Sequence, residues 1–588
     1  MGSESKRGAR ATLPAAILAF GAIDAWCRRD IIYSDGISYL EIADAYARGE
    51  WGQAINAYWS PFYSWILAAV FSVFRPPLTS ELAWLHAVNW LLLCAAALAF
   101  GYLLRELRLR SASGAYGDHL APVASGPYHK TFHAIAWLTF AWGCLSGRLI
   151  GLFRPLPDMA AAGIVFAAAG LLLRMRAAPR RNATAALLGI VLGIGYLTKA
   201  AMLPLALVFI ACSGRLRRAA IAAASFAAVC APFVIALSVS KGRFTTGESG
   251  RLNYAWEVGP VRRSTHWQGG PPGYGEPVHP TRVLHREPLL AEFEKPVPGS
   301  FPPWRDPSYW YEGVKPHFNA ARQAQSLYLN GRYTLVLFLL CPATIAAALA
   351  MLLSRGLWGA LPSRLAVYGA GLWRLWPLLA PCAAAFAMYS SVFVEGRYIA
   401  PFLVVAGVSI LIPAFGTPAL SGRRRRAAIV AAAAIATIGV LRGDLAEDVS
   451  VIRAWVEGHP EATQADLASE MRLLGIGPGT RLGYIGLAMN AYWVRLAGAR
   501  TICEVPIEYV RQHGLSRGGR DGTAEIERYW KSPPRVRDRV LQLMRAQGAE
   551  YAVADMVPGW ADTSGWTQLR TPAPKGYGDA RTFVRRLN

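Results

Sequence analysis

Long apolar runs alternate with short polar segments along the first three quarters of the chain. "AVNWLLLCAAALAFGYLL" (87–104), "AAAGIVFAAAGLLL" (160–173), "AAIAAASFAAVCAPFVIALSV" (219–239) and "AAIVAAAAIATIGVL" (427–441) are examples. Each approaches the ~20 residues that cross the hydrocarbon of a bilayer. One such run could equally be the core helix of a soluble protein; a repeated series could not. The pattern predicts about eleven crossings, at 11–28, 80–104, 131–149, 158–175, 183–198, 200–214, 219–240, 331–354, 366–391, 398–416 and 427–441. From residue 442 the period changes. "RLGYIG" (481–486), "ARTICEV" (499–505) and "EYAVAD" (550–555) read as strands. "LAMNAYWVRLAG" (487–498) and "PPRVRDRVLQLMRAQGA" (533–549) read as helices between them. That alternation implies a small parallel sheet. The expected fold is mainly α: a polytopic transmembrane helix bundle over 1–441, followed by a small α/β domain over 442–588.

Composition agrees with this: 54% of the 588 residues are apolar, 17% are charged, and the mean hydropathy is +0.26. The net charge of +24 first suggests nucleic acid, and its placement decides otherwise. Segments 1–10, 105–130, 174–181, 215–218, 355–374 and 423–426 hold 21 Lys/Arg against 3 Asp/Glu, which is +18 of the +24. They lie between alternate apolar runs, the positive-inside pattern of cytoplasmic loops. "RLRR" (215–218) and "RRRR" (423–426) are therefore topology signals, and no nucleic-acid partner is expected. With a cytoplasmic N-terminus, parity places 29–79, 147–158, Lys199, 241–330, 394–398 and 442–588 outside. The expected location is an inner (cytoplasmic) membrane, with long periplasmic loops at 29–79 and 241–330 and a periplasmic C-terminal domain. The basic, then apolar N-terminus resembles a signal peptide but lacks a small-x-small cleavage site, so it reads as an uncleaved first helix. The eight cysteines are scattered and form no C-x-x-C pair, so neither a disulfide framework nor a zinc site is indicated.

Ionisable groups in or beside a helix bundle cost several kcal/mol unless they are paired or used. On the outer side these are Asp35, Arg154, Asp158, Lys199, Glu395 and Arg397. Carboxylates and cations on one membrane face suit an anionic lipid headgroup. The cations would hold a phosphate, and a carboxylate would deprotonate an incoming hydroxyl or amine. A structural salt bridge is the other reading of each. Asp35 opens the polar, aromatic stretch "YSDGISYLEIADAYARGEWGQAINAYWSPFYSW" (33–65), in which a helix over 37–51 is expected to lie along the membrane surface. The loop 241–330, with "PGSFPPWRDPSYWYEG" (298–313), is too long for a passive connector. Its aromatics would form a partial lid or rest at the membrane interface. His266, His279, His285 and His317 lack metal-binding spacing and read as solvated or packing residues. In the tail "GIGPG" (475–479) precedes its strand, so a dinucleotide fingerprint fails.

Five of these stretches, in order and all on the expected outer side, resemble the polytopic (GT-C-type) glycosyltransferases that use polyprenyl-phosphate sugars. That group includes the protein O-mannosyltransferases and the lipid A aminoarabinose transferases. "SDGISYLEIADAYARGEW" (34–51) is similar to the acidic first-loop motif, and "YWSPFYSW" (58–65) to the aromatic-proline segment that continues it. "RPLPDM" (154–159), "GYLTKAAMLP" (195–204) and "EGRYIAP" (395–401) resemble the second acidic site, the Leu-Thr-Lys stretch and the Arg-Tyr…Pro stretch. The resemblance implies inverting transfer of a sugar to a lipid, glycan or protein acceptor at the periplasmic face. It implies Asp35 as general base and Asp158 as a second catalytic acidic residue that orients a substrate. Lys199 and Arg397 would bind the donor phosphate with help from Arg154, and Glu395 would position Arg397. Tyr39, Trp59, Tyr63 and Tyr398 would support these groups. Gly36 follows Asp35 where a second carboxylate is frequent, and Trp59 and Ser60 stand where the named subfamilies carry charges. The resemblance therefore names neither sugar nor acceptor. One Asp is a poor divalent site without a second nearby ligand, which weighs against a metal requirement without closing it. A flippase or transporter of lipid-linked sugars would use the same cations, and a non-catalytic envelope assembly protein would explain the large outer segments.

Overall fold

The computed structural model describes residues 4–112, 127–177, 182–261, 266–293, 297–353, 361–415, 422–507, 523–570 and 581–587. Parts of the basic segments expected at 105–130, 174–181 and 355–374 lie outside the described residues. The chain forms two compact units from interleaved stretches. Met1–Arg28, His86–Ala236 and Gln323–Val449 make the first; Arg29–Leu85, Leu237–Arg322 and Ser450–Asn588 make the second.

Helices dominate, as the apolar runs require. Among the described residues five are long and apolar enough to cross a membrane: Leu78–Ser111, Asp158–Ala177, Leu216–Lys241, Gly396–Phe415 and Arg423–Val456. Two bent pairs, Ala320–Leu340 with Pro342–Leu352 (62°) and Leu365–Arg374 with Trp376–Val392 (83°), raise the number to seven if each is one span. Both bends fall where a proline opens the second helix, Pro342 and Pro377, and cannot donate a backbone hydrogen bond. The expected fifth and sixth crossings are shorter helices, Asn182–Thr198 and Met202–Ala211, with Lys199 in the break between them.

Small residues let the helices of the first unit approach closely, which matters because lipid supplies no hydrophobic drive for helix association. Gly189 and Gly193 of the Asn182–Thr198 helix face Ala222 and Val229. A Cβ at Gly189 would lie 2.1 Å from the Ala222 carbonyl oxygen. Phe100, Phe140 and Phe166 are fully buried, with Phe100 centred 5.1 Å from Phe140 and 5.3 Å from Phe166. Arg28, just past the Glu4–Cys27 helix, is buried and pairs with Asp24 at 3.2 Å. It also pairs with Glu447, with Asp448 at 3.5 Å and with Asp444 at 3.9 Å, all on the Arg423–Val456 helix. One guanidinium therefore fastens the end of the Glu4–Cys27 helix to the Arg423–Val456 helix.

The second unit is built on a seven-stranded sheet: β1 (Arg282–Arg286), β2 (Leu289–Glu292), β3 (Arg481–Gly486), β4 (Arg500–Pro506), β5 (Tyr551–Ala554), β6 (Thr567–Gln568) and β7 (Phe583–Arg586). Its order is β1-β2-β4-β3-β5-β7-β6. The three strands read from the sequence are β3, β4 and β5, and they pair in parallel. The loop 241–330 adds β1 and β2, and β2 pairs antiparallel with β4. The helix expected over 487–498 is divided instead into a 3-10 turn, Ala488–Asn490, and a helix, Tyr492–Ala497. The division falls at Ala491, whose φ of −76° and ψ of 71° lie outside the helical region, and upstream of it the Leu487 N–H donates to the Asp555 carboxylate at 2.8 Å. Gly486, at φ +139°, passes so close that a Cβ would lie 1.8 Å from Asp555 Oδ1.

Burial lifts the Asp555 carboxyl from its ordinary 3.8 to about 6, against the lowering effect of hydrogen bonds from Leu487 and the Tyr484 hydroxyl. The folded chain thus holds this proton more tightly than the unfolded chain does. The group therefore costs stability as pH rises from about 4 to about 6, by roughly 3 kcal/mol, and the loss is constant above that window. Asp555→Asn keeps an acceptor for Leu487 without the charge. It should flatten the pH dependence of thermal unfolding across the window and raise the melting temperature above pH ~6. A variant whose pH dependence matches the parent would contradict this.

Candidate functional site

The ten residues singled out from the sequence fall into two sets, one in each unit. In the first unit, three chain segments bring charges together. Asp158 opens the Asp158–Ala177 helix, Lys199 follows the Asn182–Thr198 helix, and Arg397 is the second residue of the Gly396–Phe415 helix. Both carboxylate oxygens of Asp158 are engaged. Lys199 Nζ donates to Oδ1, and Arg397 Nη1 lies 3.5 Å from Oδ2. Arg397 Nε donates to Glu395, and Arg154 Nη1 stands 4.0 Å from the same carboxylate. Tyr398 gathers the cations from the side: Lys199 Nζ sits 3.9 Å from its ring centroid, and its hydroxyl accepts from Arg397 at 3.2 Å. Three cations against two carboxylates leave one positive charge. Asp158 is nearly enclosed, whereas the side chain of Lys199 is 23% exposed and that of Arg154 39%. The arrangement holds cations in fixed positions with donor capacity to spare, which suits a phosphate oxygen.

In the second unit Asp35 lies in the first turn of the Ser34–Ala47 helix, where a negative charge faces the positive end of the helix dipole. The helix starts before the expected 37 and stops before the expected 51. Gly49, at φ +73°, closes it: the Gly49 N–H returns to the Tyr46 carbonyl and the Glu50 N–H to that of Ala45. Asp35 Oδ1 accepts the indole N–H of Trp304 at 3.0 Å. Trp304 is in turn fixed by its backbone carbonyl, which accepts from Ser38 Oγ at 3.0 Å and from the Trp59 indole at 3.1 Å. Tyr39 packs edge-on to Trp59 (5.2 Å) and to the fully buried Tyr63 (5.3 Å). Tyr39, Trp59 and Tyr63 are therefore packed support for the segment that carries Asp35.

The segment bearing Trp304 is latched to the same helix. Glu41 Oε1 accepts the Ser300 N–H at 2.7 Å and its hydroxyl at 2.6 Å, and Arg305 lies 3.9 Å from the other oxygen. Gly299, at φ +116°, allows the approach; a Cβ there would lie 2.3 Å from Glu41. The rest of 298–313 packs inward. Trp310 and Tyr311 are buried, and Tyr309 stacks on His279 with centroids 4.0 Å apart. The remaining loop histidines also have packing partners: His266 bonds Glu504 and Thr281, His285 the Pro288 carbonyl, and His317 that of Lys315. Among the described residues no group of three or more His, Cys, Asp or Glu is placed to hold a metal ion. Sequence reasoning missed Trp304, Glu41 and Ser300 as supports of Asp35. Trp304 is one of twenty tryptophans, and only its glycine- and proline-rich surroundings set it apart.

No family model and no curated protein matches the chain. Among solved structures it is similar to ArnT from Cupriavidus metallidurans in the apo state, at 14% identity and a TM-score of 0.49, covering 98% of each chain. The same protein bound to undecaprenyl phosphate gives 11% and 0.48, again with 98% of each chain covered. The oligosaccharyltransferase of Archaeoglobus fulgidus in complex with Zn and sulfate gives 12% and 0.44, over 92% of this chain and 68% of that one.

Removing Asp158 would leave Lys199 without its carboxylate and Arg397 with Glu395 alone. Asp158→Ala should therefore destabilise the chain by about 3–5 kcal/mol. Asp158→Ala/Lys199→Met should cost less than the two single changes added together, because the second change removes the stranded cation. Thermal unfolding in detergent measures both. Additive effects would show that the pair is not coupled.

Proposed function

We propose that the chain transfers a hexosyl or pentosyl group from a polyprenyl-phosphate donor to a lipid, glycan or protein acceptor, with inversion, at the periplasmic face of an inner membrane. The reading includes the eleven-crossing topology with a cytoplasmic N-terminus, a transmembrane transferase domain over 1–441 and a periplasmic domain over 442–588. The observation that carries it is the cation cluster on Asp158. Lys199 and Arg397 share one buried carboxylate, which holds them in place for a phosphate without neutralising the group as a whole. Under this reading both cations bind the donor phosphate and stabilise it as it leaves the anomeric carbon. Arg154, more exposed, assists, and Glu395 and Tyr398 orient Arg397. Asp158 has both oxygens committed to cations, so its role is positioning.

Asp35 is assigned the base. It accepts the proton of the acceptor hydroxyl or amine as that atom forms its bond to the anomeric carbon and the bond to phosphate breaks. What supports this is a partly exposed carboxylate held on one oxygen by an indole N–H, within a packed aromatic frame. Tyr39, Trp59 and Tyr63 belong to that frame.

The test is transfer from a panel of labelled polyprenyl-phosphate sugars by the purified chain, with Asp35→Asn as the comparison. Turnover should fall by about 10²–10⁴-fold in the variant. Undiminished transfer in Asp35→Asn would remove Asp35 from the base role. No transfer from any donor, with measurable translocation of the lipid, would replace the enzyme reading with that of a flippase.

A further inference from the structure

We propose that the C-terminal α/β segment is a working part of the Asp35 site, with Asn490 as the residue that positions Asp35. This rests on the reading of Asp35 as general base. The first N–H groups of a helix have no partner within it and need one from elsewhere. The Ser34–Ala47 helix begins at Tyr33, which supplies no side-chain cap. Its Ser34 N–H donates instead to the side-chain oxygen of Asn490 at 3.1 Å, across 456 positions of sequence. The residue next to that amide is Asp35.

Asn490 is itself held firmly. It is buried, and its own N–H closes a turn on the Leu487 carbonyl at 3.1 Å. The Leu487 N–H is tied to Asp555, against which Gly486 leaves no room for a side chain. Five residues beyond Asn490, Arg495 takes a second grip on the same helix. It donates to Asp44, and it forms two bonds to Glu81, of 3.0 and 2.6 Å. The Tyr492 hydroxyl donates to Glu81 as well. These carboxylates hold the Arg495 guanidinium well above its ordinary range, against the opposing effect of burial. The stretch 487–495 thus grips the Asp35 helix in its first turn and near its end, while Trp304 fixes the carboxylate. Asn490 touches no reacting atom; it acts through the helix N-terminus, which sets where Asp35 sits.

The test compares Asn490→Leu, which removes the acceptor at similar volume, with Asn490→Asp, which keeps it and adds a charge. Full-length protein is used for kcat, KM for the donor and the pH–rate profile, and for hydrogen exchange of residues 33–40. For Asn490→Leu we expect a roughly tenfold lower kcat, an unchanged KM and faster exchange at Ser34. For Asn490→Asp we expect retained protection at Ser34. The acid limb of its profile should move up by about 0.5–1 pH unit, because a neighbouring like charge raises the Asp35 carboxyl. A merely structural dock would lower the active fraction in both variants and leave the pH profile in place. Wild-type kcat and exchange in Asn490→Leu, or an unmoved acid limb in Asn490→Asp, would overturn the proposal. If the parent chain shows no transfer, the reading of function fails separately. The exchange at Ser34 then decides alone, and unaltered exchange in Asn490→Leu overturns the role of Asn490.

Discussion

A charge taken out of water must be paired, and that constraint organises both units of this chain. In the first, Asp158 lies between Lys199 and Arg397, and Arg28 collects carboxylates from both ends of its unit's sequence. In the second, Arg495 does the same with Glu81 and Asp44. Each of these groups would cost several kcal/mol if left alone, so each fixes the helices that carry its partners. Segments far apart in sequence are held in register by a few such contacts, and the apolar packing around them is comparatively interchangeable.

The pairing differs in character from place to place. Arg28 and Arg495 are enclosed by carboxylates, which makes them fasteners. Lys199 and Arg154 keep part of their surface open beside their partners. The contrast sets Lys199 and Arg154 apart but not Arg397, which is about as enclosed as Arg495 and differs from it in sharing its carboxylate with a more open cation. A similar contrast holds for the aromatics: Tyr63, Trp310 and Tyr311 fill space, whereas Trp304 directs an N–H at a carboxylate.

Much of this was legible in the sequence, because membrane helices and parallel strands both announce themselves by apolar run length. The bundle, the three parallel strands and the gathering of Asp158, Lys199, Arg397, Glu395 and Arg154 follow from run lengths and from the rarity of charge beside them. What could not be read depends on long-range contacts. The strands β1 and β2 come from a charged, proline-flanked stretch whose partner lies some two hundred residues on. The Leu487 N–H is held by Asp555 and the first turn of the Asp35 helix by Asn490, and no local propensity signals either contact. Trp304 was hidden among other aromatics because its role lies in a single hydrogen bond.

The central claim is that fixed cations bind a lipid phosphate while Asp35 acts only in the chemistry. Its most direct test is equilibrium binding of a polyprenyl phosphate to the parent chain, to Lys199→Met and to Asp35→Asn in lipid nanodiscs. Lys199→Met is suitable because Arg397 remains to pair with Asp158. The account predicts about tenfold weaker binding for Lys199→Met and parental affinity for Asp35→Asn. Parental affinity in Lys199→Met, or a loss confined to Asp35→Asn, would contradict it.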